Sequence, residues 1–106
     1  MENLTPLTTL THTCGDTAET LDDISGFVAQ TTIGNKKKNV VEMIISCENN
    51  DIRFSWGTNP TQAGLGLILT EGNFLVIYGH KNIIDFRFIN KTNGLNAIIQ
   101  VALEIA

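Results

Sequence analysis

The stretch Asn96-Ala97-Ile98-Ile99-Gln100-Val101-Ala102-Leu103-Glu104-Ile105 decides the fold class. Ala97, Ile99, Val101, Leu103 and Ile105 fall on one face and Asn96, Gln100 and Glu104 on the other. That is the period of two needed by a strand that buries one side and wets the other. Working back toward the N-terminus, similar short runs occupy residues 40–48, 52–56, 65–70, 74–78 and 83–89, ahead of the last at 95–105. Turn signals separate them: Glu48-Asn49-Asn50-Asp51, Gly57-Thr58-Asn59-Pro60, Gly72-Asn73, Gly79-His80-Lys81-Asn82 and Asn93-Gly94. Gly and Asn tolerate positive φ and Pro fixes φ, so each cluster has a mechanism for reversing the chain. Adding a threonine-rich edge strand around Leu10 and a strand over residues 27–33 gives about seven to eight strands at regular spacing, which predicts an all-β fold. The expectation is a single small antiparallel β-sandwich or jelly-roll-like barrel. The strand order stays open, because a jelly roll and an immunoglobulin-like sandwich share this pattern.

Individual runs carry further expectations. Residues 40–48 are apolar on both faces, with Val41, Met43, Ile45 and Cys47 on one and Val40 and Ile44 on the other, which predicts a central strand covered on both sides. Residues 27–33 alternate and lead into the exposed loop Gly34-Asn35-Lys36-Lys37-Lys38-Asn39. Thr20 fits the cap of one helical turn, with Asp22 and Asp23 near its favourable dipole end. Residues 1–7 read as an N-terminal arm, in which Pro6 removes a backbone donor and Leu4 and Leu7 are apolar anchors that either fray or dock on a neighbour. Residues 8–106 form the single domain.

A chain of 106 residues buries roughly two-thirds of its unfolded surface around one core. Charged residues make up 17%, below the roughly 25% usual for soluble domains, which leaves neutral surface for packing against partners. The net charge of -4 argues against a phosphate-backbone ligand, so nucleic acid is not an expected partner. Residues 1–35 carry Glu2, Asp16, Glu19, Asp22 and Asp23 and no Lys or Arg; all seven basic residues follow. An acidic solvated loop is the plainer reading, and contact with a basic partner the sharper one. No apolar run reaches the ~18 residues of a membrane span, and the start lacks the features of a signal peptide, so synthesis and retention in a cytoplasm are expected.

No set of residues forms a catalytic or metal site. Cys14 and Cys47 lack partners at metal-ligand spacing, and Cys47 shares a face with Met43 and Ile45, as a buried free thiol would. A Cys14 to Cys47 disulfide has no local support. His12 and His80 sit at edge or turn positions with no sequence-adjacent nucleophile, and read as surface histidines. Asp22 and Asp23 do not fit a calcium loop, and Gly64-Leu65-Gly66 lacks the Lys-Ser or Lys-Thr of a phosphate loop. No cofactor is expected. Arg53, Asp85 and Arg87 suggest a cross-strand ion pair on a wet sheet face. Lys36, Lys37 and Lys38 are either an anion-binding tip or a solvated hairpin turn that discourages edge pairing, the latter being preferred. Trp56, beside a polar turn with Asn59 and Gln62, is either a stacking platform for a sugar ring or ordinary core or rim packing.

One resemblance bears on function. The run Ile52-Arg53-Phe54-Ser55-Trp56-Gly57-Thr58-Asn59-Pro60-Thr61, then Gly64, Leu67-Ile68-Leu69, Gly72, Ile77-Tyr78-Gly79, Ile83, Phe86-Arg87-Phe88-Ile89 and Ala97 with the final strand, resembles a family of small tailed-phage virion proteins. The match covers about half the chain and consists of a spacing of turns and strands, with a looser echo in Ala18-Glu19-Thr20-Leu21. The Asn-, Ile- and Lys-rich composition and the loop at residues 34–39 depart from many members. The resemblance implies a non-enzymatic virion component: a capsid decoration or cement protein bound to the major capsid protein, or otherwise a neck or tail part. Ile44, Leu75, Ile77, Ile83, Ile89 and Ile98 are expected on faces opposite the core, where a two-layer sandwich of this size leaves apolar surface for another subunit. A homo-oligomer, with a trimer favoured, is the expected assembly. The possible partner contacts are Leu4, Leu7, Lys36, Lys37, Lys38 and Trp56.

Overall fold

The structure, a computed structural model, describes residues 5–33 and 36–106. It is a small all-β sandwich. One antiparallel sheet holds β1 (Thr5–Pro6), β2 (Leu10–Cys14), β6 (Val40–Glu48), β9 (Phe74–Tyr78) and β11 (Ala97–Ile105). The other holds β3 (Glu19–Thr20), β7 (Ile52–Trp56), β8 (Leu67–Leu69) and β10 (Phe86–Asn90). A separate two-stranded piece pairs β4 (Thr32–Ile33) with β5 (Lys36–Lys37). Seven of these strands have three or more residues, which is the number expected from the alternation; the other four are two-residue fragments.

The strand order shows how the sandwich is made. β11 pairs with β2 and β6, and β6 pairs with β9; in the second sheet β10 pairs with β3 and β7, and β7 with β8. Four long arms, β2–β3, β11–β10, β6–β7 and β9–β8, therefore lie side by side in the same order in both layers. Each arm bends once, at residues 15–18, 91–96, 49–51 and 70–73. The sandwich is one four-arm sheet folded over a single row of bends. Its interior is the set of inward residues from both halves, including Met43, Ile45, Ile99, Val101 and Leu103 facing Ile52, Phe54, Phe86 and Phe88. Phe54 stacks on Phe86 at 5.5 Å between centroids, a distance that suits offset rings.

Polar side chains hold the bends in line. Asn90, fully buried, donates through Nδ2 to Asp16 Oδ1 (2.8 Å) and to Leu95 O (3.3 Å), while its backbone N–H reaches Gly15 O (3.2 Å). The same Asp16 oxygen accepts from Gly94 N–H (2.8 Å) and Gln62 Nε2 (3.1 Å). Asp51 accepts from Glu71 N–H at its carboxylate (2.8 Å) and from Lys91 N–H at its carbonyl (3.0 Å). Asn50 Nδ2 donates to Asn96 O (2.8 Å). Every bend is thus tied to a neighbouring bend, which satisfies backbone groups that leave the sheet ladders at these points.

Several expectations are corrected. Residues 27–33 are a strand only at their end, as β4 (Thr32–Ile33): Phe27–Thr31 is a short helix, α1. Phe27 and Thr31, four apart, are the buried positions, Ala29 is exposed, and Thr31 Oγ1 closes the turn on Phe27 O (2.8 Å). Residues 80–84 likewise form a helix, α2 (His80–Ile84), so the strand expected from residue 83 begins at Phe86. The turn after Thr20 is present as a 3₁₀ segment, Leu21–Asp23, with Thr20 N–H donating to Asp23 Oδ2 (3.0 Å). β6 is central in its sheet but covered on one side only, since Ile44 is exposed. Val40 reaches the core because the register slips by one residue between Glu104 opposite Glu42 and Ile105 opposite Val40. That bulge leaves Val41 as the extra residue and reverses the phase of the strand.

The expected cross-strand ion pair does not form. The loop at residues 57–66 folds back over the outer face of β7 and β10, and its carbonyls take the arginines: Arg53 Nε donates to Gln62 O (3.1 Å) and Nη1 to Gly66 O (3.0 Å). Arg87 Nη1 donates to Asn59 Oδ1 (2.8 Å), and Asp85 pairs with Lys81 (2.9 Å) one helical turn away. The close return requires glycine at residue 66, whose φ is +120 and where a Cβ would lie 3.0 Å from Phe54 O. Ile89 is buried on this face.

The three hydrogen bonds received by Asp16 favour its ionised form. Donation from Asn90, then from Gly94 N–H, lowers its pKa below the ordinary 3.8 against a smaller opposing effect of burial. A depressed folded-state pKa contributes stability that is present above the unfolded pKa and lost as pH falls through the folded one. Urea unfolding followed from neutral pH down through pH 3 should therefore show Asp16→Asn less stable than the parent at neutrality, with the difference shrinking in acid. A constant difference across that range would contradict this role for the carboxylate.

Candidate functional site

Among the described residues, two clefts and one apolar edge offer surfaces for binding. The first cleft, about 270 Å3, lies between α1, α2 and the segment leading into β6. Leu21, Phe27, Val40 and Ile84 line it, with Asp22, Lys38 and His80 among its polar groups. Lys38 is placed there by its backbone N–H, which donates to Thr31 O (2.6 Å). His80 Nδ1 donates to Val40 O (3.1 Å). Of the three expected contact lysines, then, Lys38 borders this cleft. Lys36 and Lys37 form β5, opposite Ile33 and Thr32, so they are the returning strand of a short hairpin and not its turn.

The second cleft, about 350 Å3 and shallower, is lined by Phe54, Ser55, Trp56, Thr58, Leu65 and Leu67 with Gly66 at its base. Trp56 is 42% exposed, and its ring meets Phe54 edge-on at 5.6 Å and Phe86 at 6.3 Å. The indole is part of the aromatic core at one edge and free at the other. That geometry leaves an aromatic surface available to a ligand, flanked mainly by leucines.

The remaining expected contacts divide. Leu7 packs against the protein's own core, and its backbone N–H donates to Leu103 O (2.9 Å). β1 extends the same pairing, with Thr5 opposite Ile105 and Pro6 opposite Glu104. This part of the arm docks on its own sheet and leaves Leu7 half-buried. Leu4 lies outside the described residues.

The third feature is the side of the sandwich where β9 ends one sheet and β8 ends the other. Phe74 and Tyr78 are 69% and 65% exposed, Leu67 is 59% and Ile68 44%. The residues expected to face outward were a different set. Ile77, Ile83 and Ile89 are buried, Leu75 packs against the core, Ile98 is half-buried and Ile44 alone of the six is exposed. Ile83 is turned in by α2, and β9 runs in the opposite phase: Ile77 lies opposite Met43 and Leu75 opposite Ile45, both core residues, so Phe74, Val76 and Tyr78 face out. Every residue of Phe74-Leu75-Val76-Ile77-Tyr78 is apolar or aromatic, so nothing in the run itself marks the wet face.

The histidines and cysteines are engaged in the fold. His12, expected at the surface, is half-buried and joins the edges of the two sheets. Its Nε2 donates to Glu19 Oε1 (3.0 Å), and its ring meets Phe88 edge-on at 5.7 Å. Both cysteines are free and buried. Burial, then the nearby Glu19 and Cys47, push the Cys14 thiol far above its usual range. Burial, with the Asp51 and Glu71 carboxylates, raises Cys47 to about 11, and its S–H donates to Asn50 O (2.7 Å). Thiols held protonated this way are poor nucleophiles. Among the described residues no group of three or more His, Cys, Asp or Glu could hold a metal ion, and no helix is long and apolar enough to cross a membrane.

No protein-family model matches the chain, and neither a curated protein nor a solved structure matches it.

The buried thiols give a direct check. With Ellman's reagent at pH 8, Cys14 and Cys47 should react roughly a hundredfold or more slowly in the folded protein than in denaturant. Rapid titration of either thiol under native conditions would show that the strand carrying it, β2 for Cys14 or β6 for Cys47, opens far more readily than its packing implies.

Proposed function

We propose that this chain is a non-enzymatic structural protein of a tailed-phage virion, a capsid decoration or cement protein that binds the major capsid protein and reinforces the head shell as a homo-oligomer. The observation that carries the reading is the apolar edge formed by β8 and β9, a surface of the kind that marks a protein interface on an otherwise wet domain. Three further points support it. The charge density is low, which favours packing against another protein. The resemblance to small phage virion proteins runs through β7, β8 and β10, which make most of the smaller sheet, and through the end of β9 and β11 in the larger one. Two titratable side chains are occupied in the fold: His12 by Glu19 and Asp16 by the row of bends. The proposed location is the virion, after synthesis in the host cytoplasm. Mass spectrometry and cryo-electron microscopy of purified particles from the phage carrying this gene test the proposal. The expected result is the chain at high copy number on the head lattice; its absence from particles would overturn it.

Trp56 favours a second reading, a neck or tail component or a carbohydrate-binding host-recognition module. An exposed indole edge in a cleft beside Ser55 and Thr58 is a surface on which a sugar ring can stack. In glycan binding followed by tryptophan fluorescence and calorimetry, that reading requires measurable binding by the parent and a loss of tenfold or more in Trp56→Ala. No binding by the parent across host surface glycans would remove it.

A further inference from the structure

We infer that two copies of this chain pair through β9, edge to edge about a two-fold axis at Val76, to make one continuous antiparallel sheet. The inference concerns the same apolar edge on which the proposed function rests and names its first partner, a second copy. The pairing itself does not depend on the virion.

The backbone of β9 is set up for it. In the β6–β9 ladder, Gly79 N–H donates to Val41 O (2.9 Å) and Cys47 N–H to Asn73 O (3.2 Å). With Met43 opposite Ile77 and Ile45 opposite Leu75, residues 73, 75, 77 and 79 aim their backbone groups at β6. By the alternation of antiparallel ladders, Phe74, Val76 and Tyr78 aim theirs at the free edge. Among these, one is engaged within the chain: Tyr78 O accepts from Asn82 Nδ2 (3.0 Å), leaving a second lone pair. An antiparallel copy centred on Val76 puts Val76 opposite its own copy and Phe74 opposite Tyr78. All three positions carry outward-aimed groups, so the two edges are complementary without any change of register. The same three side chains face out of the sheet, so the pairing also sets Phe74 against Tyr78 across the junction, an aromatic pair at directly opposed positions.

The edge also lacks every protective device that exposed strands normally use. β9 contains no charge, no proline and no bulge across Phe74–Tyr78. The edges on the opposite flank differ, since β1 carries Pro6, β2 has exposed threonines and β3 is two residues long; β8, the edge beside β9, is only three residues long. A fully exposed aromatic side chain contributes ~200 Å2. The exposed fractions of Phe74 and Tyr78 then correspond to ~270 Å2 per chain on the pairing strand. These side chains stand out of the sheet, so edge pairing covers the sides that face the junction, and the outward-aimed backbone groups of Phe74, Val76 and Tyr78 supply the rest.

Sedimentation equilibrium on the full chain at micromolar concentration tests the inference. The parent should sediment at twice the chain mass. Val76→Pro removes only an outward-aimed N–H and should drop to the chain mass with its far-ultraviolet dichroism unchanged. Should the proline variant fail to fold, Val76→Lys, which places two ammonium groups at the axis, provides the same readout. Hydrogen exchange supplies an independent one, because the Phe74, Val76 and Tyr78 amides should gain protection as concentration rises. A monomer at all concentrations, a trimer, or a dimer unaffected by either Val76 substitution would overturn the inference. Particle composition does not enter this result, so it stands or falls separately from the virion role.

Discussion

The row of bends is the constraint on which the rest of this structure depends. Four arms must each fold over at the same level, or the inward residues of the two layers would not meet. Asp16, Asn50, Asp51 and Asn90 link the bends through hydrogen bonds to backbone groups of neighbouring arms. Short polar side chains suit this position, because Asp and Asn readily bond nearby backbone and tolerate tight turns. Asn90 is the most demanding case. It is an amide with no exposure inside an apolar core, acceptable there because its side chain and backbone are bonded on several sides.

With the bends aligned, the remaining features follow from how each edge is closed. The N-terminal segment runs along β11, first as β1 and then as β2, and covers the outer flank of the larger sheet. The loop at residues 57–66 covers the outer face of β7 and β10, with Arg53 as the tether that holds it down. His12 and Glu19 join the two sheets at the flank opposite β8 and β9. The flank made by β8 and β9 receives no such cover, and the exposed aromatic residues concentrate there.

Legibility in the sequence tracked the presence of polar residues that mark phase. β11 is readable because Gln100 and Glu104 fix its wet face, and β7 because Arg53 and Ser55 do so. β9 could be located to the residue, yet its phase was hidden, since five consecutive apolar or aromatic side chains offer no contrast. The bulge at Val41 was hidden for the same reason: a slip of one residue in an apolar run changes faces without changing composition. The two helices escaped detection because each is five residues long, too short for a period of 3.6 to separate from alternation. The polar row at the bends was legible in part, as turn signals at residues 48–51, 72–73 and 93–94, while Asp16 and Asn90 fell outside them. Its cross-links join residues as far apart as Asp16 and Gly94, a pairing that local pattern cannot supply.

The position of β11 has a consequence for the order of synthesis. It is the last of the eleven strands among the described residues to leave the ribosome, yet it lies inside the larger sheet, flanked by β6 on one side and by β1 and β2 on the other. Until it emerges, the earliest-made and middle strands of that sheet have no common neighbour to pair with. The larger sheet therefore closes only after residue 105 is available, through contacts between opposite ends of the sequence, which is the slow regime for loop closure. Through that interval Phe74-Leu75-Val76-Ile77-Tyr78 has β6 as its one strand neighbour, itself unpaired on its other edge, so the solubility of this half-made sheet rests on the polar turns on either side of the run.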